Sequence, residues 1–458
     1  WSDATYKNSY SQSHRFTASG GKDKNKFYYA IGYTENQGII PRAFSKVTDF
    51  NVTNSKELTS RLTLDTKATV SFIRNSASKG TEFLGGSDNN MVRQIVGSVP
   101  FENVPENLTT GVDPEDIIDG PMAWIRDYDD LAEEIRGLGS LKLEYKISDV
   151  FKYRILGGVD FRKKERKIWY GTSLFRGAQV NGEAGISDLE RFRYNLDNTL
   201  MFNKKFNKNH RINGTVGFVI DEFMLKTKAV TASDFPIKDL RADGIRNAQV
   251  ISPYRYSESQ ESIASFIGRV NYTLANKYNF TATLRADGSS KFAPGGQWGY
   301  FPSVAFAWQM HREKFFEKFS KLNEAKLRLG WGETGQQDIT GIVGFYPSIP
   351  LFLAGDANSQ YFPNSSLYSA QPFNPNLTWE KTTTYNLGLD FAFFESRIVS
   401  GSFDIYKRNT TDLLAQTPVP PGQALTNAFI DNVGETESEG FELNLNIDPI
   451  RNDNFTFN

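Results

Sequence analysis

The chain has 458 residues, a formal net charge of −1 and no cysteine, and aromatic residues make up 14% of it. The charge balance gives neither the basic surface of a nucleic-acid-binding protein nor an acidic tail, and without cysteine there are no disulfides or thiolate metal sites. The mean hydropathy is −0.46, and no apolar run reaches the roughly 18 residues of a membrane-spanning helix.

Segments of about ten residues with an apolar residue at every second position recur along the chain, which is the pattern of β-strands with two different faces. The clearest pair is Leu141–Ile147 and Phe151–Arg162, where charged residues alternate with apolar ones. About fifteen strands are expected, and a sixteenth begins at Phe455. In chain order they are 14–19, 27–33, 58–65, 69–73, 141–147, 151–162, 191–200, 212–221, 266–272, 278–284, 304–308, 327–331, 385–391, 399–405 and 441–447.

Short and long connections alternate between these strands. Tight turns are predicted at 148–150, 203–209, 275–277 and 394–396, and long loops at about 35–56, 75–137, 164–189, 225–261, 333–379 and 408–436. One connection departs from the rule, because Met310–Glu324 has helical spacing and predicts one or two turns of amphipathic helix. Short turns at one end of the strands and long loops at the other are typical of an antiparallel transmembrane β-barrel in a bacterial outer membrane.

The charged face of the strands has two readings. In a soluble sandwich it would be the outer surface, whereas in a barrel it would face the lumen and would line a passage or contact a plug. The residues assigned to this face are Lys142, Glu144, Lys152, Arg154, Arg191 and Arg193.

Five stretches resemble motifs of the SusC/RagA-like TonB-dependent outer-membrane transporters and occur in the order found in that family. Three are consecutive: TATLRADGSSKF (Thr281–Phe292), QWGYFPSVAFAW (Gln297–Trp308) and LRLGWGETGQQDI (Leu327–Ile339). Two follow later: NPNLTWEKTTTYNLGLDF (Asn374–Phe391) and NVGETESEGFE (Asn432–Glu442). The resemblance extends over nearly the whole chain.

The resemblance implies a transporter with a 22-stranded barrel, an N-terminal plug and a segment that binds TonB. It also implies a SusD-like surface lipoprotein that covers the barrel and captures oligosaccharides or peptides. Neither plug nor TonB-binding segment is recognised in this sequence, which starts without a signal peptide and stops at the start of a strand. We therefore expect residues 1–458 to be the central part of a barrel, cut at both ends, with the TonB complex contacting the missing N-terminal part.

No residue pattern predicts catalysis. The three histidines, His14, His210 and His311, are far apart, and no nucleotide-binding, hydrolase or zinc-protease motif occurs. Neither enzyme activity nor a cofactor is expected. The acidic segment Asp113–Glu134 has two readings: a calcium site built from carboxylate oxygens, or a solvated external loop that contacts the lipoprotein.

Aromatic residues of the predicted external loops are candidates for stacking on a sugar or a peptide, and packing within the loops is the alternative. They are Trp124, Tyr128, Trp298, Tyr300, Tyr346, Tyr361 and Phe362. The predicted function is TonB-dependent import of an oligosaccharide or peptide nutrient through the outer membrane, where lipid and lipopolysaccharide surround the barrel. A passive porin and a soluble glycan-binding β protein are the alternatives, and nucleic acid is not an expected partner.

Overall fold

The computed structural model describes residues 6–77, 120–319, 321–338, 344–354, 360–362, 365–366, 368–394, 398–420, 428–447, 450–451 and 456–457. Antiparallel β-strands dominate these residues, which confirms the predicted all-β fold class. The strands are β1 (Ser11–Lys22), β2 (Asn25–Gln37), β3 (Phe44–Thr59), β4 (Leu62–Ser76), β5 (Tyr128–Lys146), β6 (Phe151–Tyr170), β7 (Glu183–Lys205), β8 (His210–Ser233), β9 (Val250–Ile251), β10 (Arg255–Leu274), β11 (Tyr278–Ser289), β12 (Trp298–Gln309), β13 (Leu322–Gln336), β14 (Phe352–Ala354), β15 (Gln360–Phe362), β16 (Ser365–Ser366), β17 (Tyr368–Ala370), β18 (Glu380–Phe393), β19 (Val399–Thr411), β20 (Leu414–Pro418), β21 (Ala428–Asn432), β22 (Glu435–Ile447), β23 (Ile450–Arg451) and β24 (Thr456–Phe457).

The main sheet follows chain order from β1 to β8, continues with β10 to β13, and ends with β18, β19 and β22, while β9 pairs with β8. Small separate hairpins are formed by β14 with β17, β15 with β16, β20 with β21, and β23 with β24. Two α-helices, α1 (Gly120–Asp127) and α2 (Phe175–Gln179), and a 3-10 segment at Lys238–Asn247 lie in the long connections. Phe455, where a further strand was predicted, lies outside the described residues.

The chain divides into two compact units, which are described separately. The first comprises Trp1–Lys142, Gly157–Tyr194 and Phe223–Gln260, and the second comprises Leu143–Leu156, Asn195–Glu222 and Glu261–Asn458. Within the second unit, strand register aligns apolar residues into rows on one face. One such row runs across seven strands and consists of Tyr272, Phe280, Phe306, Leu329, Leu387, Ile405 and Phe441.

The opposite face of the second unit carries charges that pair between strands. Arg328 on β13 contacts Asp390 on β18 at 2.8 Å, and it reaches across β18 to Asp404 on β19 at 2.9 Å. Gly388 lies between Arg328 and Asp404 in the register of the three strands. A Cβ atom at Gly388 would lie 2.4 Å from Asp404 Oδ1 and 2.6 Å from Arg328 Cζ. This glycine therefore leaves the space through which the ion pair crosses the strand.

The predicted loop at about 35–56 is wrong, because β2 and β3 occupy most of it and only residues 38–43 connect them. The strand predicted at 58–65 is also wrong, because residues 60–61 form the turn between β3 and β4. The polar residues of β3 interrupt the alternation of apolar and polar positions, so the sequence pattern did not indicate a strand there. They are accommodated by cross-strand hydrogen bonds such as that from Thr69 Oγ1 to Asn51 Oδ1 at 2.8 Å.

Other strands also extend past the predicted loop bounds. The connection between β6 and β7 is residues 171–182 and that between β8 and β10 is 234–254, narrower than 164–189 and 225–261. In place of a loop to residue 137, α1 ends at Asp127 and β5 begins at Tyr128. Residues 412–434 connect β19 to β22 and contain the β20–β21 hairpin. Backbone pairing satisfies the N–H and C=O groups of these extensions even where side-chain alternation fails.

The connection between β12 and β13, residues 310–321, is named the rim segment. It forms two 3-10 helices, Met310–Arg312 and Lys314–Lys318, where one or two turns of amphipathic helix were predicted, and β13 begins before the predicted end at Glu324. Glu313 lies between them and accepts hydrogen bonds from Lys277 Nζ at 2.8 Å, Tyr278 Oη at 2.6 Å and Trp308 Nε1 at 3.2 Å. These bonds hold the segment against the ends of β11 and β12.

Replacing Gly388 by alanine is expected to destabilise the protein by up to about 1 kcal/mol, because the added methyl group forces the ends of the Arg328 and Asp404 side chains apart and weakens a partly exposed ion pair. The control is Gly268→Ala, since a Cβ at Gly268 meets nothing within 4 Å and lower entropy of the unfolded chain should leave stability unchanged or slightly higher. Urea unfolding in detergent measures both midpoints. Equal midpoints for the two variants would contradict the role of Gly388.

Glu313 predicts a pH dependence of the rim segment. The hydrogen bond from Lys277, followed by that from Tyr278, lowers the pKa of the Glu313 carboxyl from 4.5 to about 2. A lowered pKa in the folded state stabilises the segment above the unfolded value, and this contribution disappears as the pH falls from 4.5 towards 2. The protection of residues 310–319 from hydrogen exchange, taken relative to the intrinsic exchange rate at each pH, should therefore fall over that range. In Glu313→Gln this protection should be low throughout and lose this pH dependence.

Candidate functional site

The sheet exposes apolar side chains on one face and buries charged side chains on the other, which is the reverse of the arrangement in a soluble protein. Large apolar side chains are exposed on one face of the strands, and Phe441 is 74% exposed. Carboxylates on the opposite face are buried, among them Asp130 and Glu134 in the first unit and Asp287 in the second. Extended exposed apolar surfaces mark contact with another protein or with a membrane.

The charged face of the first unit is neutralised within the sheet. Arg166 on β6 donates two hydrogen bonds to the Asp130 carboxylate on β5, both at 2.7 Å. Arg162 donates to Glu134 Oε2 at 2.9 Å. Residues 120–134 of the acidic segment Asp113–Glu134 therefore form α1 and the start of β5, not a loop, and the carboxylates of Asp130 and Glu134 face arginines. Its first residues, 113–119, lie outside the described residues.

Two arginines hold the C-terminal end of α1. Arg42 and Arg241 both form salt bridges with Asp129, the latter at 2.6 Å. They also donate to the carbonyl oxygen of Arg126, at 3.3 Å from Arg42 and 2.7 Å from Arg241. Cations near the unpaired carbonyls of a helix C-terminus are stabilising. The connections 38–43 and 234–254 are thereby fixed to α1 in the first unit.

Asp127, the last residue of α1, holds a third connection. Its carboxylate accepts hydrogen bonds from the Ser173 backbone N–H at 3.0 Å and from Ser173 Oγ at 2.7 Å. A Cβ at Gly171 would lie 1.8 Å from this carboxyl group, so the close approach requires glycine. Connection 171–182 is consequently fixed to the same helix.

Trp124 and Tyr128 lie in the hydrophobic cluster beneath these connections. Both are buried, and they pack with Ile40, Ala123 and Leu174. Their rings meet edge to face, with centroids 5.4 Å apart. A stacking platform requires an exposed ring, so the surface role predicted for these two residues is not compatible with their burial. They instead stabilise the connections around α1.

The second unit fixes its long connections around a buried lysine. Lys291 is 2% exposed, and its ammonium group donates to the Gly344 carbonyl at 2.8 Å. It also lies 3.4 Å from Glu261 and 3.3 Å from Asp338. An ion this deeply covered is stable only with such partners. Lys291 joins connection 290–297 to the connection that follows β13.

A hydrophobic cluster lies in the same unit. It consists of Phe292, Phe301, Leu377, Trp379 and Leu414. Trp379 Nε1 donates to the Gln297 carbonyl at 2.9 Å. The cluster packs residues from connections 290–297, 337–379 and 412–434 together, so these connections have defined anchors at their bases.

The remaining predicted aromatics fall in different environments. Trp298 and Tyr300 lie in β12 and are exposed on the same face as Val304, so they belong to the apolar outer row and not to a loop. Tyr346 is half-buried and contacts Phe345, with ring centroids 6.4 Å apart. Tyr361 and Phe362 lie in β15, and their side chains are not among those described. Of the described candidates, Trp124 and Tyr128 contact each other in a buried cluster, and Trp298 and Tyr300 share the exposed face of β12.

The residues assigned to the charged face are mostly paired. Lys142 lies 2.6 Å from Asp65, Lys152 lies 2.7 Å from Glu144, and Arg191 lies 2.9 Å from Asp160. Arg154 is half-buried on β6, and Arg193 is exposed on β7. Their role in lining a passage or contacting a plug remains a prediction.

Sequence reasoning missed Lys291, Trp379, Arg42 and Arg241. Lys291 lies two residues beyond the end of β11 at Ser289. The sequence shows only that this lysine stands beside two aromatic-rich stretches. Nothing in the neighbouring residues distinguishes a buried lysine from a solvated one. Arg42 and Arg241 both have a positive φ, 69° and 49°, and this too has no sequence signature.

No helix among the described residues has the length and apolar character needed to span a membrane. No group of three or more histidine, aspartate or glutamate side chains in the described part of the chain could hold a metal ion.

Comparison with known proteins gives concordant matches. The model of the family "TonB dependent receptor-like, beta-barrel" matches residues 73–458. The TonB-dependent receptor SusC of Bacteroides thetaiotaomicron is 27% identical over 509 aligned positions, covering 100% of this chain and 47% of that protein. The TonB-dependent receptor P26 of Formosa agariphila is 31% identical over 330 positions, covering 70% of this chain and 32% of that protein.

The fold is similar to that of a solved structure of the RagAB peptide transporter, with a TM-score of 0.81 and 18% identity, over 98% of this chain and 50% of that chain. The chain thus spans half or less of the length of these relatives. The family match covers most of the chain and agrees with the motifs, the strand order and the exposed apolar face. This chain belongs to the TonB-dependent receptor β-barrel family and is of the SusC/RagA-like type.

Proposed function

We propose that the full-length protein imports an oligosaccharide or a peptide across a bacterial outer membrane, with energy supplied through TonB. The observation that carries this proposal is the exposed apolar face, whose residues form continuous rows while the charges on the other face are paired. An apolar outer band around a polar interior is the arrangement of an outer-membrane barrel. The RagAB peptide transporter and SusC, to which the chain is similar, support a transport function.

The anchored long connections support a substrate-binding role. In the first unit α1 gathers three connections, and in the second unit Lys291 and the cluster around Trp379 gather three more. Connections that are fixed at their bases can present a defined binding surface at low entropic cost. We place substrate on these connections, and a SusD-like lipoprotein above them as a lid.

Membrane extraction tests the location. The protein should stay with the outer-membrane fraction in buffer and be released by mild detergent, together with a surface lipoprotein. Release into buffer alone would exclude both the transporter and the porin and favour the soluble glycan-binding alternative. Uptake of the co-purified ligand in cells with and without TonB then separates an active transporter from a porin, because a porin conducts in both.

Lys291→Met is expected to weaken ligand binding while the sheet remains folded. Removing the ammonium group leaves Glu261 and Asp338 without their buried partner, at a cost of about 1–3 kcal/mol. If half of that energy holds the connections in their binding conformation, affinity falls by about two- to twelvefold. Isothermal titration with the co-purified ligand measures the loss.

The matched control is Lys205→Met, because Lys205 is exposed at the end of β7 beside a short turn. It should bind ligand as the unmodified protein does. Hydrogen exchange provides a second readout, and residues 290–297 and 344–348 should exchange faster only in Lys291→Met. Unchanged exchange and unchanged affinity would contradict the anchoring role of Lys291.

A further inference from the structure

The aromatic face of the second unit continues past the ends of its strands onto the rim segment. Tyr278 stacks on Trp308 with ring centroids 6.3 Å apart, and Trp308 contacts Phe315 at 6.3 Å. Phe315 contacts Phe316 at 4.8 Å, and Phe316 contacts Phe319 at 5.7 Å. The series is unbroken, so the apolar environment of the strand face extends to these rings.

Two of these rings are left uncovered. Phe315 is 54% exposed and Phe319 is 60% exposed, although both lie outside the main sheet. These exposed rings adjoin the exposed apolar face of the strands. A single apolar medium would therefore cover both surfaces.

Basic residues flank the two exposed phenylalanines in the sequence of the rim segment. Arg312, Lys314, Lys318 and Lys321 are all exposed. Residues 310–321 contain these four basic residues and two acidic ones, Glu313 and Glu317, which leaves a net charge of +2 in a chain whose net charge is −1. Glu313 is occupied by three donors and lies inward of the basic residues.

The surface is held in place by the strands. Besides the three bonds to Glu313, Arg312 Nη1 donates to the Asn276 carbonyl at 2.7 Å. His311 Nδ1 lies 3.1 Å from the Ala325 carbonyl, at hydrogen-bond distance. A fixed arrangement of exposed phenylalanines next to lysines differs from a flexible turn, because it can bind a planar interface without first being ordered.

The rim segment lies at the strand ends that carry short turns such as 275–277, and in outer-membrane barrels these ends face the periplasm. We propose that the rim segment binds the anionic phospholipid headgroups of the membrane leaflet that faces the periplasm. Aromatic rings favour the headgroup level of a bilayer, where an apolar ring and a polar environment meet. Lysine and arginine next to such rings attract lipid phosphates. The proposal rests on the membrane location proposed above, and it adds a lipid class and a specific segment to it.

Single-site labelling tests the position of the segment in the full-length protein reconstituted in vesicles. The 458 residues contain no cysteine, so within them a fluorescent label attaches only to an introduced one. Three labelled variants are compared: Phe319→Cys on the rim segment, Val304→Cys on the exposed strand face, and Phe352→Cys in connection 337–379, where Phe352 is 66% exposed. Quenching by brominated phospholipid reports contact with lipid, and quenching by iodide reports contact with water.

The expected result is lipid quenching at positions 319 and 304 and iodide quenching at position 352. Lipid quenching at 304 with iodide quenching at 319 would overturn the inference and leave the membrane location intact. Iodide quenching at 304 would instead overturn the proposed location itself. Protection of 319 from both quenchers would show that a second copy or another protein covers the segment, and it would also overturn the inference.

Lipid composition tests the role of the charges. Vesicles of phosphatidylcholine alone are compared with vesicles that also contain phosphatidylglycerol, and the anionic lipid should increase lipid quenching at position 319. The triple change Lys314→Gln, Lys318→Gln and Lys321→Gln should abolish this increase. The matched control removes three lysines elsewhere, Lys22→Gln, Lys24→Gln and Lys26→Gln, and should retain it. Equal behaviour of both triple variants would overturn the assignment of anionic headgroups.

Discussion

The alternation of side chains across paired strands is the constraint on which the rest of this structure depends. Each residue of a strand must point to one face, and backbone pairing fixes which residues become neighbours on it. Apolar rows follow on one face, and charges are concentrated on the other. Those charges must then be neutralised between strands, as Arg328 does with Asp390 and Asp404. Even the glycine at 388 is explained by this requirement, because a side chain there would block the pair.

The long connections are stabilised by a different principle. They have no continuous ladder, so each is held by a few contacts that join residues distant in the sequence. In the first unit, Arg42 and Arg241 bind the C-terminal end of α1, and Asp127 of the same helix binds Ser173. In the second unit, Lys291 performs the equivalent role through one ammonium group with several oxygen partners. The structure thus combines a sheet that is specified locally with connections that are specified by isolated buried polar contacts.

This difference explains what the sequence could predict. The hairpin Leu141–Arg162, the turn at 275–277 and the face of each regular strand follow from period-two alternation within a short window. The pattern failed at β3, where polar residues interrupt it and pairing with two neighbours overrides it. It could not place Trp124 or Tyr128, because burial in a connection depends on partners such as Ile40 and Leu174, which are far away in the sequence.

Aromatic residues occur both on the outer face of the strands and beneath the long connections. An odd or an even position in a strand decides which of these two environments the side chain occupies. Tyr300 and Phe301 are consecutive in β12, yet Tyr300 is 60% exposed and Phe301 is 6% exposed. The first extends the outer apolar row, and the second packs with Trp379 beneath the long connections. A high aromatic content therefore has two separate physical causes. Residue type alone therefore cannot identify a binding platform in such a protein. In β12, residues an even number of positions from Val304 lie on the outer surface, and residues an even number of positions from Ser303 lie on the interior face.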